Sequence, residues 1–337
     1  MKPTLLATFA LTLSAFAADP LTLEYPGGNG PGKGKHIVLL AGDEEYRSEE
    51  AMPQLAKILS ERHGFHCTVV FSINKTTGEI DPNTQDNEPG IEAMKDADLC
   101  ITLLRFRKWP EEQTKYFVDY YNAGKPFICL RTSTHAFSGV KAPYDSLNKF
   151  GKQVLGEQWV NHWGSHKKEA TRGVIEPGAE KNPLLNGVTD IFGTTDVYEA
   201  YPPADAKILV RGIVLKGLNH DDAPADYKKK RSVKTPGPDG TPVTAEQGVN
   251  DPAMPVVWTR DNKTADGKIN HTLTTTMAAA SDLPNESLRR LIVNAAYSFT
   301  GLEIPAKADV AIVGTFEPSM YGFGGFKKGV KPADLAK

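Results

Sequence analysis

The chain has 337 residues, with 39 Lys and Arg against 41 Asp and Glu for a formal charge of −2; 40% are hydrophobic and 24% charged. This is the composition of a soluble globular protein, and it excludes a rod-like fibre, a wholly disordered chain and a multispan membrane protein. The near-neutral balance also argues against nucleic acid as a partner, which calls for a basic field to displace counterions from phosphates.

Lys2, the apolar run Leu5 to Ala17 and the small-residue triplet Ala15-Phe16-Ala17 predict a cleaved signal peptide over residues 1–18. The product is then periplasmic or secreted. The run is short of the roughly 20 apolar residues of a span, so no stable membrane insertion is expected. Residues 19–35, rich in Gly and Pro, read as a flexible lead-in. His36 to Ala41 is a short apolar run suited to a buried parallel strand. Met52, Leu55, Ala56 and Leu59 then keep helical spacing, with Gly64 past the end. Strands follow at 65–71, 97–104 and 127–130, with a helix opened by Pro110-Glu-Glu between the last two. This alternation implies βαβ units: a three-layer, doubly wound, mostly parallel α/β sheet of flavodoxin-like type.

The second half is less regular, with candidate strands at 171–175, 207–215, 255–259 and 271–277. Residues 216–250 read as a loop insertion in a domain spanning 36–303. Its charge run Lys228 to Arg231 suits an anion patch or a solvated loop. An amphipathic helix carries Leu288, Leu291, Ile292, Ala295 and Phe299 on one face, and a tail, 304–337, is expected to pack on the domain. Cys67, Cys100 and Cys129 are odd in number, lie in apolar runs and lack CxxC spacing, so they read as buried free thiols.

Ligands of doubly wound sheets bind beyond the carboxyl ends of the strands. That rule gathers Gly42 to Arg47, Arg105 to Lys108 and Arg131 to His135 into one polar mouth suited to a hydroxylated or anionic small molecule. Asp43, Glu44 and Glu45 either serve that molecule or pair with Arg47 and Arg131. Ser133 or Thr132 could be a nucleophile on a strand-to-helix turn, with His135 as base. In Asn161-His-Trp-Gly-Ser-His166, the spacing of His162 and His166 would place both on one face of a helix, as a zinc site requires. Sugar stacking by Trp163 and a plain structural role are the alternatives.

Gly42 to Glu50, Leu130 to Phe137, Asn161 to His166 and Thr274 to Asp282, with the tail Gly-Phe-Gly-Gly-Phe-Lys-Lys-Gly329, resemble the ThuA-like (trehalose-utilisation) family, in its exported, planctomycete-type branch. The resemblance implies a class I glutamine amidotransferase-like fold and a role in disaccharide or keto-sugar catabolism. The chain departs from that family at Tyr46, at Arg131-Thr132 and at Ala278-Ala279, where many members carry His, His-Ser and Gly-His. It also lacks the amidotransferase cysteine, so glutamine hydrolysis is not expected.

The expectation is acid/base chemistry on a carbohydrate by His135, Glu44, Glu45, Arg131 and Ser133. Asp43, Tyr46, Arg47, Arg105, Thr132 and Trp163 would bind the sugar, with a divalent metal such as zinc on His162 and His166 as the one cofactor considered. A non-catalytic carbohydrate-binding or protein-interaction module is the alternative.

Overall fold

A computed structural model describes residues 20–232 and 246–336; the signal peptide read over 1–18 lies outside them, as does part of the insertion. The first strands are β1 (Thr22–Tyr25), β2 (His36–Gly42), β3 (His66–Phe71), β4 (Leu99–Leu104) and β5 (Phe127–Leu130). After these come β6 (Thr171–Ile175), β7 (Ile191–Gly193), β8 (Lys207–Val214), the short pair β9 (Lys228–Lys230) and β10 (Glu246–Gly248), β11 (Met254–Lys263) and β12 (Ile269–Thr275). The α-helices are α1 (Ser48–Lys57), α2 (Glu111–Asn122) and α3 (Glu286–Phe299).

Ten strands form one sheet in the order β1-β3-β2-β4-β5-β12-β11-β8-β6-β7. The run from β3 to β12 is parallel. Every other pairing, at β1 and from β12 outward to β7, is antiparallel. A mostly parallel sheet is therefore the wrong description: the protein is a mixed α/β fold. The reversal comes at Asp266-Gly267, where Gly267 takes φ 77° and turns β11 back into β12 as a hairpin instead of a helical crossover. The lead-in also needs correcting. It contains β1, whose Leu23 is buried and which pairs with β3 from Thr22↔Val70 to Tyr25↔Cys67.

Side chains alternate across the sheet because strand residues point to opposite faces in turn. Ile37, Leu39 and Ala41 enter one core with Met52 and Leu55 of α1 and Leu288, Leu291 and Ile292 of α3. Val38 and Leu40 enter a second core with Phe117 of α2, Phe127 and Phe150. Truncating one such leucine costs roughly 2–5 kcal/mol. Asn285 caps α3, its side chain accepting the N–H of Leu288 at 2.8 Å. All three cysteines are buried and free, and burial pushes the Cys129 thiol up to about 12. Among the described residues no helix is long and apolar enough to cross a membrane.

The tail lies over α3 and the end of α1. Arg289 and Arg290 donate to the carbonyls of Val310 and Ala308, and Ser319 N–H donates to Glu50.

Candidate functional site

Loops after β2, β4 and β5 meet at the carboxyl end of the parallel strands, bringing Glu45, Tyr46, Arg105 and His135 to one pocket of about 170 Å³. The opposite wall holds Trp159, His162 and His166 from the segment before β6 and Tyr198 from the segment after β7; Phe323 of the tail closes the rim. The two segments of that wall are laced together. Trp163 N–H donates to Val197 O at 2.7 Å, and Glu199 N–H donates to Asn161 O at 2.9 Å. His162 and His166 are not on a helix. A bend between them sets their rings 4.4 Å apart.

The residue that organises this wall is Asp196, which no sequence motif marked. Its carboxylate is fully buried and accepts from His162 Nδ1 at 2.7 Å, His166 Nδ1 at 3.1 Å and Arg131 at 3.0 Å. Glu45 meets the other nitrogen of His166 at 3.0 Å. Burial opposes ionisation of Asp196, but the Arg131 guanidinium and the two imidazole hydrogen bonds hold its pKa well below the usual range. The hydrogen bonds from Asp196 and then Glu45 raise His166 to about 9. His135 moves the other way: burial first, then the charges of Arg105, Arg131 and His162, lowers it well below 6.5. Its ring packs against Phe106 at 5.1 Å and Trp159 at 5.4 Å. One pocket thus pairs a neutral imidazole with an imidazolium.

Several expected site residues do other work. Arg131 is fully buried, donates to the carbonyls of Asp196 and Thr276, and lies between the rings of Tyr46 and Tyr198 at 4.6 and 3.7 Å. It anchors Asp196 and offers no free face to a substrate oxyanion. The Ser133 hydroxyl bridges Thr102 Oγ1 and Thr102 O inside the sheet, both at 2.9 Å, so it is no exposed nucleophile. Asp43 accepts the N–H groups of Glu45 and Tyr46 and the hydroxyl of Thr132, shaping the first loop from beneath. Glu44 is tied to Arg105 at 2.8 Å and Arg107 at 2.9 Å. Arg47 holds the tail through Gly322 O at 2.7 Å.

Trp163 is wholly buried, its Nε1 donating to Val249 O at 2.7 Å, so it presents no face to the pocket, whereas Trp159 lines it. In the charge run, Lys229 donates to the carbonyls of His162 and Trp163, both at 2.8 Å. That lysine steadies the histidine loop.

Backbone strain is concentrated here. Among the described residues, the non-glycine positions with positive φ are Arg47 (57°), Phe106 (52°), Arg131 (39°), Lys167 (62°) and Ala278 (76°). Arg47, Phe106 and Lys167 each follow a pocket residue directly, and Arg131 binds Asp196. Ala278 follows Met277, whose carbonyl accepts the Arg131 N–H. Such conformations cost of order 1–3 kcal/mol each and gather where a site over-determines its geometry. Arg131 takes its strained φ at the junction of β5 and the turn that follows it.

His162, His166 and Asp196 offer donor atoms within 4.8 Å of one another, near enough for a divalent cation. The charges are already matched, however: Asp196 and Glu45 face Arg131 and the His166 imidazolium. A cation would have to expel the His166 proton and sit beside a buried guanidinium.

No protein-family model matches the chain, and no curated protein does. Solved structures do match, at low identity. A protein from Parabacteroides merdae described as ThuA-like is 15% identical, with a TM-score of 0.47 over 80% of this chain and 91% of that one. Another from Bacteroides uniformis, described in the same way, is 12% identical, with a TM-score of 0.44 over 82% and 95%. The likeness is to ThuA-like proteins. A domain named as the mmIFT52 N-terminal domain is also similar, at 11% identity and a TM-score of 0.42, covering 80% of this chain and all of that domain.

Proposed function

We propose that this is an exported protein of carbohydrate catabolism whose pocket performs acid/base chemistry on a sugar or keto-sugar. The observation that carries the reading is the convergence of three histidines and a carboxylate on one small pocket ringed by strained backbone. His135, kept neutral by its apolar surroundings, is the base. It takes a proton from the carbon next to a carbonyl as that C–H bond breaks, and the electron pair moves to the carbonyl oxygen. Arg105 and the His162–Asp196–His166 network stabilise the resulting oxyanion, and Glu45 orients His166. Once His135 has traded that proton with solvent, reprotonation of the same carbon completes exchange and reprotonation of the neighbouring carbon gives isomerisation; elimination instead breaks the C–O bond to the outer unit, whose oxygen leaves with the electron pair and takes up the proton.

Export is supported by the leader at residues 1–18, toward the periplasm or the medium. The three-layer flavodoxin-like reading is supported by the parallel strands, whose order, numbered among themselves, is 2-1-3-4-5, and by a core on each face.

The test is proton exchange in heavy water, followed by NMR on a keto-disaccharide. The wild type should wash out the proton beside the carbonyl, and His135→Ala should slow this by about 10²-fold or more while still binding the sugar. Wild-type exchange no faster than buffer, with binding retained, would replace catalysis with a carbohydrate-binding module. Stoichiometric zinc in protein purified without chelator would replace the metal-free assignment.

A further inference from the structure

The tail segment Tyr321 to Gly325 is held unusually firmly for an apparent loop. Tyr321 stacks on Tyr46 with ring centroids 5.1 Å apart. Gly322 N–H donates to Glu45 O at 2.7 Å, and Arg47 donates back to Gly322 O at the same distance. The glycines fit the close approach: a Cβ on Gly322 would lie 2.8 Å from Lys167 Nζ, and one on Gly325 would strike the Arg47 guanidinium. Gly324, at φ 68°, has open space around it.

Of the two side chains in this five-residue strap, Tyr321 is buried and Phe323 is presented outward. Phe323 is 60% exposed, the largest fraction among the exposed large hydrophobics of the described residues, and it stands at the pocket rim. The Arg105 guanidinium lies 4.9 Å from its ring centroid, fixing it from one side. A phenyl ring left this exposed on a pinned backbone keeps much of its surface free. It is pre-organised for something that arrives later.

The pocket behind it is small. Its 170 Å³ falls below the ~300–1,000 Å³ of sites for drug-sized ligands, so a two-ring ligand would extend past its rim. We infer that Phe323 is a specificity-determining platform for the second unit of a disaccharide or glycoside, with the reacting ring inside against Trp159 and the outer ring stacked over the phenyl face. Pyranose rings carry an axial C–H face that packs on aromatic rings, which is the complement Phe323 offers. This inference rests on the carbohydrate reading above and adds an order to it: the protein grips the end of a two-unit sugar.

Calorimetric binding of methyl glucoside and maltose, each also as its keto derivative, tests this. Phe323→Ala should weaken the two-ring ligands by about 3- to 10-fold and leave the one-ring ligands unchanged, with Phe323→Trp restoring the difference. An unchanged melting temperature shows that the exposed substitution leaves the fold intact. Equal weakening of one- and two-ring ligands, or no change in either, overturns the platform while proton exchange by the wild type keeps the acid/base reading alive. Selective weakening with no exchange in the wild type does the reverse. If the wild type binds none of the four sugars, both fall.

Discussion

Glu44 and Glu45 are neighbours in one loop, yet their partners differ in kind. Glu44 faces two guanidiniums, and Arg107 beneath it is held further by the carbonyls of Arg105 and Pro82 and by Ser72. Guanidiniums stay charged at any accessible pH. That side of the loop therefore carries charge without being able to move a proton. Glu45 instead meets His166, an imidazole that can gain or lose a proton, and through it Asp196 and His162. The same backbone turn thus separates a fixed scaffold from a labile network, and only the second can move a proton.

The largest effect is expected where the labile network is rooted. Arg131 has Asp196 as its carboxylate partner, with both side chains fully buried and Arg131 Nε left without a hydrogen bond. Asp196→Ala strands that guanidinium, and urea denaturation should show a loss of about 3–5 kcal/mol. A loss under 1 kcal/mol would mean that the carbonyls and tyrosine rings around Arg131 suffice to hold it.

On the scaffold side, Glu44→Ala should cost less, about 1–3 kcal/mol, because Arg107 keeps its neutral partners. It should leave the titration of His166 where it was. Glu45→Gln should do the opposite, with under about 1 kcal/mol lost at neutral pH, since His166 is half-exposed, but a lower His166 pKa. If both variants moved the histidine equally, the division of the loop would be wrong.

How much of this could be read from the chain alone follows the same division. The parallel strands were legible because Ile37 to Ala41, Leu99 to Leu104 (interrupted by Thr102 alone) and Phe127 to Leu130 are apolar runs, buried on both faces. Their loops were legible by rule, and they do line the pocket with Glu45, Arg105 and His135. Asp196 was not, because an acid in an irregular stretch after a three-residue strand has no pattern to mark it. Trp159 and Trp163 differ only in which way an irregular segment turns. Arg131 and Ser133 looked catalytic by position, and only burial shows that their polar atoms are already engaged.

The smallest effect is the most direct reading of the labile side. His166 is raised to about 9 in the folded protein against an ordinary value near 6.5, so the folded state binds its proton more tightly than the unfolded chain does. Its stabilisation is fully present below about pH 6.5 and drains away as pH rises through about 9. His135 is depressed, so its neutral form favours the folded state above about 6.5, and that advantage is lost as pH falls below this value toward the folded pKa. The two slopes oppose each other and leave a shallow stability maximum near pH 6.5, with solvent screening at the half-exposed His166 keeping the alkaline limb below about 1 kcal/mol. Following both imidazole C–H resonances by NMR from pH 4 to 10 separates the limbs. Glu45→Gln should shrink the alkaline one alone, and two histidines titrating together near 6.5 would dissolve the contrast between base and acid on which the pocket's chemistry depends.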